Sequence, residues 1–148
     1  AGILDFEKNV VPSGIGPGRV KVVRYWSRGE HFRLGKALFI HGHYTGVNHP
    51  RQHLNAYAEN VFYGHLHDTA MTPMTTAGDH KTRVAASLGC LCAYNPDWMQ
   101  GKPNKWQQAF ATFHFRADGF FNWYLTSIFD GRFTGPDGQE YGKKKKGR

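Results

Sequence analysis

Hydrophobic positions in the first half of the chain gather into two short runs, and each run stops at a cluster of glycine and histidine. Leu38-Phe39-Ile40 gives way to His41-Gly42-His43, and Val61-Phe62-Tyr63 gives way to Gly64-His65-Leu66-His67-Asp68. Runs this short and bulky read as buried strands. Between them Pro50 suits the first position of a helix, with Asn48 or His49 near its cap. Leu54, Tyr57, Ala58 and Val61 recur at i, i+3, i+4 and i+7, one helical face, and Asn60 is placed to end the helix. Strand, helix and strand make a crossover unit with parallel strands. Parallel strands end at one edge of the sheet, where ligands collect. The predicted topology therefore brings both Gly/His clusters together.

The flanking segments read differently. Residues 1–19 are rich in glycine and proline and read as an arm or loop. Their Gly-Ile-Gly-Pro-Gly run is not a phosphate loop, because an alternating strand over residues 19–26 follows it and no helix start is available. Ser27-Arg28-Gly29-Glu30 is a turn, after which residues 31–34 are expected to pair back on the preceding strand. A strand is expected over residues 82–93. Residues 106–115 and 120–128 alternate around Arg116-Ala117-Asp118-Gly119 as a hairpin. The chain thus reads as α/β, a single domain over residues 1–148, with a short α/β unit first and mostly antiparallel strands afterwards.

Composition narrows the class. The chain has 148 residues, 40% of them apolar and 15% aromatic, enough for a packed core without disulfides. No run approaches the ~20 apolar residues of a membrane span, and no signal peptide opens the chain, so a cytoplasmic protein without a membrane partner is expected. The formal charge is +8, but residues 143–148 hold five basic side chains, and without them it is +3. A basic tail of this kind is usually a solvated end. Cys90 and Cys92 are expected to be small buried residues in a reducing compartment. The absence of a second cysteine pair speaks against a zinc site there.

Imidazole binds first-row metals and exchanges protons near neutral pH. His65 and His67 flank Leu66, and alternate residues of an extended segment point the same way. With Gly64 leaving room for close backbone approach, and His41 coming from the neighbouring strand, the three imidazoles are expected to share a metal site. His43 and Asp68 are the expected catalytic-site partners that orient these ligands.

His41-Gly42-His43 followed by Gly64-His65-Leu66-His67 resembles the last two signature blocks of the calcineurin-like metallophosphoesterase superfamily, including the aliphatic run before each block. Ser87-Leu88-Gly89-Cys90, Asn95-Pro96-Asp97-Trp98, Trp106 and Asp130-Gly131 resemble the final strands of members found in phages and bacteria, which implies a bacterial or phage-infected cell. The resemblance implies a β-sandwich flanked by helices. It also implies two divalent metal ions at the sheet edge, manganese first, with iron, zinc or nickel as alternatives. They would activate a hydroxide for attack on a phosphoester. It assigns His41 and His65 to the second metal and His67 to the first.

The family's early Asp-x-His, Gly-Asp-x-x-Asp and Gly-Asn-His blocks are absent from this chain. The resemblance therefore implies the C-terminal half of a metallophosphoesterase. Its site would be completed by a partner chain carrying the N-terminal half, and the chain alone would be inactive. A sheet cut at that point is expected to leave a long apolar edge for the partner. A second reading comes from Trp98, Trp106, Trp123 and Phe120 with Lys102, Lys105 and the tail lysines: a basic nucleic-acid-binding module without catalysis. Nucleic acid is also among the possible phosphoester substrates of the completed enzyme.

Overall fold

A computed structural model describes residues 31–142. Contacts divide the chain after His31, and the fold described is that of the unit beginning at Phe32. The expected arm, the strand over residues 19–26 and the basic tail lie outside the described residues.

The unit is α/β, with one α-helix and mixed and antiparallel sheets. β1 (Phe32–Leu34) turns into β2 (Ala37–Phe39). Helix α1 (His49–Tyr57) then leads to β3 (Asn60–Tyr63), β4 (Thr69–Thr75) and β5 (Thr82–Leu88). A hairpin follows, β6 (Ala109–Phe115) with β7 (Phe121–Ser127), and then a small one, β8 (Arg132–Thr134) with β9 (Glu140–Gly142). The main sheet runs in the order β1-β2-β3-β5-β4. β2, β3 and β5 are parallel, and β1 and β4 are antiparallel to their neighbours.

The crossover foreseen between the two Gly/His runs is present. Pro50 lies in the first turn of α1 after Asn48 at the N-cap. The end differs from expectation. Ala58 caps the helix in a left-handed conformation, φ 51°, while Asn60 and Val61 belong to β3. Asn60 is used there: its side chain bonds the Lys36 carbonyl and the Val84 amide, joining β2, β3 and β5 at the edge remote from the histidines.

Side-chain alternation on the parallel strands separates two apolar layers. Leu38, Val61, Tyr63 and Ala85 face α1 and pack with Leu54. Ala37, Phe62 and Ala86 face the other way and pack with Phe113, Phe115, Phe121 and Trp123 of the large hairpin. β3 is covered on both faces, which is why its sequence is a continuous apolar run rather than an alternation. Phe62 is the largest fully buried side chain, and the ring of Phe113 meets it edge-on at 4.7 Å.

Residues 32–34 pair with the following strand, Gly35 and Lys36 forming the turn between them, and the preceding strand expected over residues 19–26 lies outside the described residues. One expectation is corrected here. The described sheet lacks a long apolar edge. β1 is three exposed residues, and β4 carries Pro73, which removes one donor from that edge.

Candidate metal centre

Three parallel strands end at the same edge, and each is followed by residues able to ligate a metal. β2 leads to His41-Gly42-His43, β3 to Gly64-His65-Leu66-His67, and β5 to Gly89-Cys90-Leu91-Cys92. The last two share one design, glycine and leucine alternating with a ligand residue, histidine in one case and cysteine in the other. Glycine is required at Gly42, where φ is +116° and a Cβ would stand 2.9 Å from that of His65. Gly64, expected to provide that room, has only ordinary contacts.

His41 and His65 meet directly. Nδ1 of His65 lies 2.8 Å from Nε2 of His41, the rings edge to face with centroids 4.7 Å apart. Two nitrogens each about 2.1 Å from one ion and at right angles around it are about 3 Å apart, so this pair has the spacing of neighbouring ligands. Partial burial depresses the His41 pKa, and the nearby His65, His67 and His43 lower it further. Neutral imidazole, the ligating form, is thereby favoured at His41.

His67 takes another direction. Residues 65–68 form a turn rather than an extended segment, and His67 sits at φ +61°. The expectation that alternation aligns His65 with His67 is therefore corrected. The His67 ring packs edge-on against Trp106, centroids 4.4 Å apart, and its Nδ1 is 3.7 Å from Sγ of Cys92. Sγ of Cys90 lies 3.3 Å from that of Cys92. His67, Cys90 and Cys92 form a group that can hold a metal ion, with one ligand atom from each all within 4.8 Å of one another. Cys90 is half-buried and Cys92 exposed, so neither is the buried apolar residue expected from composition.

Backbone bonds hold this turn in place. Gln107 N–H donates to His67 O, Cys90 N–H to Gln107 O, and Gly89 N–H to Asp68 O. The Gln107 side chain accepts from both the amide and the hydroxyl of Thr69.

The other two expected site residues look away from a shared metal. His43 Nε2 lies 2.8 Å from the Tyr57 hydroxyl. Asp68 is buried, with Oδ2 3.2 Å from His49 Nε2 and 2.8 Å from Lys105 Nζ, and Oδ1 is buried without a partner. Burial pulls this carboxyl up, but Lys105 and His49 outweigh it, and the net pKa is below the usual carboxylate value.

Beneath the loops lie two more histidines, His49, expected only near the helix cap, and His53, to which the sequence assigns no role. His49 and His53 are fully buried on the inner face of α1. The network assigns their tautomers. Tyr63 O–H donates to His49 Nδ1 at 2.7 Å, which leaves Nε2–H to donate to Asp68. His53 Nδ1–H donates to the His49 carbonyl at 2.8 Å, and its Nε2 accepts from His43 N–H at 2.9 Å. A buried helix side chain thus tethers the loop that carries His41 and His43. The available signal was their i, i+4 spacing on either side of Pro50.

Burial lowers the pKa of both residues below 6.5. The unfolded chain takes up protons below about pH 6.5, whereas the native state resists until the lowered values are reached. Stability is therefore complete above about pH 6.5 and falls as pH drops from there toward those values, by up to about 1.4 kcal/mol per pH unit for each residue. The depressed Asp68 value acts only below about pH 4. Urea midpoints at pH 7.5 and 5.5 should differ accordingly, and His53→Gln should flatten the difference. Equal midpoints in the parent chain would contradict the neutral assignment.

No family model matches the chain, and neither a curated protein nor a solved structure matches it. Among the described residues no helix is long and apolar enough to cross a membrane.

Proposed function

We propose that this chain contributes the C-terminal half of a two-metal phosphoesterase site, completed by a partner chain. The observation that carries the reading is the His41–His65 pair, Nε2 to Nδ1 at 2.8 Å, placed by adjoining parallel strands at the edge of the sheet. The donor set fits one side of such a centre: two neighbouring imidazoles, with His67 close enough to influence His41. It lacks the carboxylates that hard cations prefer. Asp68, the one carboxylate of the turn after β3, is committed to His49 and Lys105. The missing acids would come from the partner's Asp-x-His and Gly-Asn-His blocks, with the family's β-sandwich completed at the same time. Divalent ions, manganese foremost, would activate water and neutralise phosphoryl charge there. The role of His41 and His65 is to hold one ion, and that of His53 is to keep the loop after β2 at the right height.

The test uses the full chain, manganese and bis(p-nitrophenyl) phosphate, with and without a chain supplying the missing blocks. Negligible turnover from the chain alone, a large gain on mixing, and its loss in His41→Ala and His65→Ala are expected. Strong activity from the chain alone, or activity indifferent to both substitutions, would overturn the reading.

The binding-module alternative has one observation in its favour. Trp98 is 71% exposed, and its ring lies 5.7 Å from that of Trp106, which touches His67. Two other aromatics drop out of it: Trp123 packs on Phe62 in the core, and Phe120 lies under the Lys36 ammonium. Nucleic-acid affinity that survives His41→Ala and His65→Ala but falls on Trp98→Ala, without hydrolysis, would favour this alternative.

A further inference from the structure

We propose that His67, Cys90 and Cys92 hold a single thiophilic ion of the zinc class, separate from the ion assigned to His41 and His65. The spacing is that of a ligand set. Around a tetrahedral zinc two thiolates stand about 3.8 Å apart, and a thiolate and an imidazole nitrogen about 3.5 Å. The corresponding separations here are 3.3 Å between the sulfurs and 3.7 Å from Cys92 Sγ to His67 Nδ1. The third separation, between Cys90 Sγ and His67, is within 4.8 Å.

The surroundings point the same way. His67 adopts a left-handed conformation that costs a non-glycine residue energy, and that conformation puts its ring on the cysteine side. Trp106 fixes the ring edge-on. Cys90 is pinned by backbone bonds in both directions: its N–H donates to Gln107 O, and its carbonyl accepts from Ala109 N–H. The two sulfurs are reduced and partly accessible. Two thiolates with one imidazole select zinc over manganese, because soft donors favour the softer ion. Three protein ligands leave a fourth position for water or an anion.

The experiment uses the reduced full chain and cobalt, which reports its ligands through absorption. One equivalent of cobalt should give thiolate-to-metal charge-transfer bands in the near ultraviolet, and zinc should abolish them by displacement. Cys90→Ser and Cys92→Ser should each lower zinc affinity by at least about 100-fold, since even partners that merely orient ligands cost 10–100-fold when removed. The double variant His41→Ala/His65→Ala should keep the bands. Cobalt binding to the parent chain without charge-transfer bands would overturn the proposal and needs no variant to fold. So would zinc affinity indifferent to Cys92→Ser, or loss of the bands in the double histidine variant. None of these readouts depends on hydrolysis, so the phosphoesterase reading and this one can fail independently.

Discussion

Phe62→Ala should cost about 3–5 kcal/mol and lower the melting temperature by more than about 10 °C. Phe62 is 1% exposed on the central strand. It meets the rings of Phe39, Phe113, Phe121 and Trp123 at centroid distances from 4.7 to 5.7 Å. Alanine there removes the shared filler between the main sheet and the large hairpin, and neither β-layer can close the gap without breaking strand pairing. Against a typical total stability of about 5–15 kcal/mol, that loss leaves a large unfolded population. Phe129→Ala is the matched control. Phe129 is 73% exposed, and its loss should change stability by no more than about 0.5 kcal/mol. Thermal denaturation of both variants checks the pair; similar melting temperatures would show that the hairpin does not seal this core.

Asp68→Ala should be nearly as severe, about 3–5 kcal/mol, for a different reason. The side chain is buried and is the acceptor for His49 Nε2–H, a donor that is itself 2% exposed. Removing the carboxylate leaves that donor without a partner where water does not reach it. Lys105→Ala, at the other end of the same contact, should cost under about 1 kcal/mol, because its ammonium is 57% exposed and returns to water. Chemical denaturation of the two variants distinguishes them. Equal losses would mean that the Lys105 ion pair, and not the His49 hydrogen bond, anchors the turn after β3. Asp68→Ala should also loosen His67, with cobalt affinity falling about 10–100-fold.

Both substitutions probe features with very different visibility in the sequence. Phe62 lies in an apolar run that could only be a buried strand, and the crossover and large hairpin were equally readable from periodicity and turn residues. β4 was not. Thr69–Thr75 reads Thr-Ala-Met-Thr-Pro-Met-Thr, with no apolar run and a proline that argues against a strand. It pairs because β5 offers it an open flank, an edge position where proline is tolerated. The buried roles of His49 and His53 are not legible in the sequence, because apolar periodicity counts histidine as polar. Their burial depends on acceptors and donors from Tyr63, Asp68 and His43, which lie in other parts of the chain.

The amino-acid order alone determined that β2 and β3 run parallel and that the residues after them reach one edge, because short apolar strands joined by a helix have little other choice. It also determined that imidazoles would be there. Which nitrogens face one another was decided only by the tertiary structure. The left-handed turn at His67 swings one ring from its neighbours toward two sulfurs supplied by a third parallel strand. That third strand is adjacent through its parallel pairing with β3, Val61 opposite Ala85, a contact between distant parts of the chain that no local pattern of residues encodes.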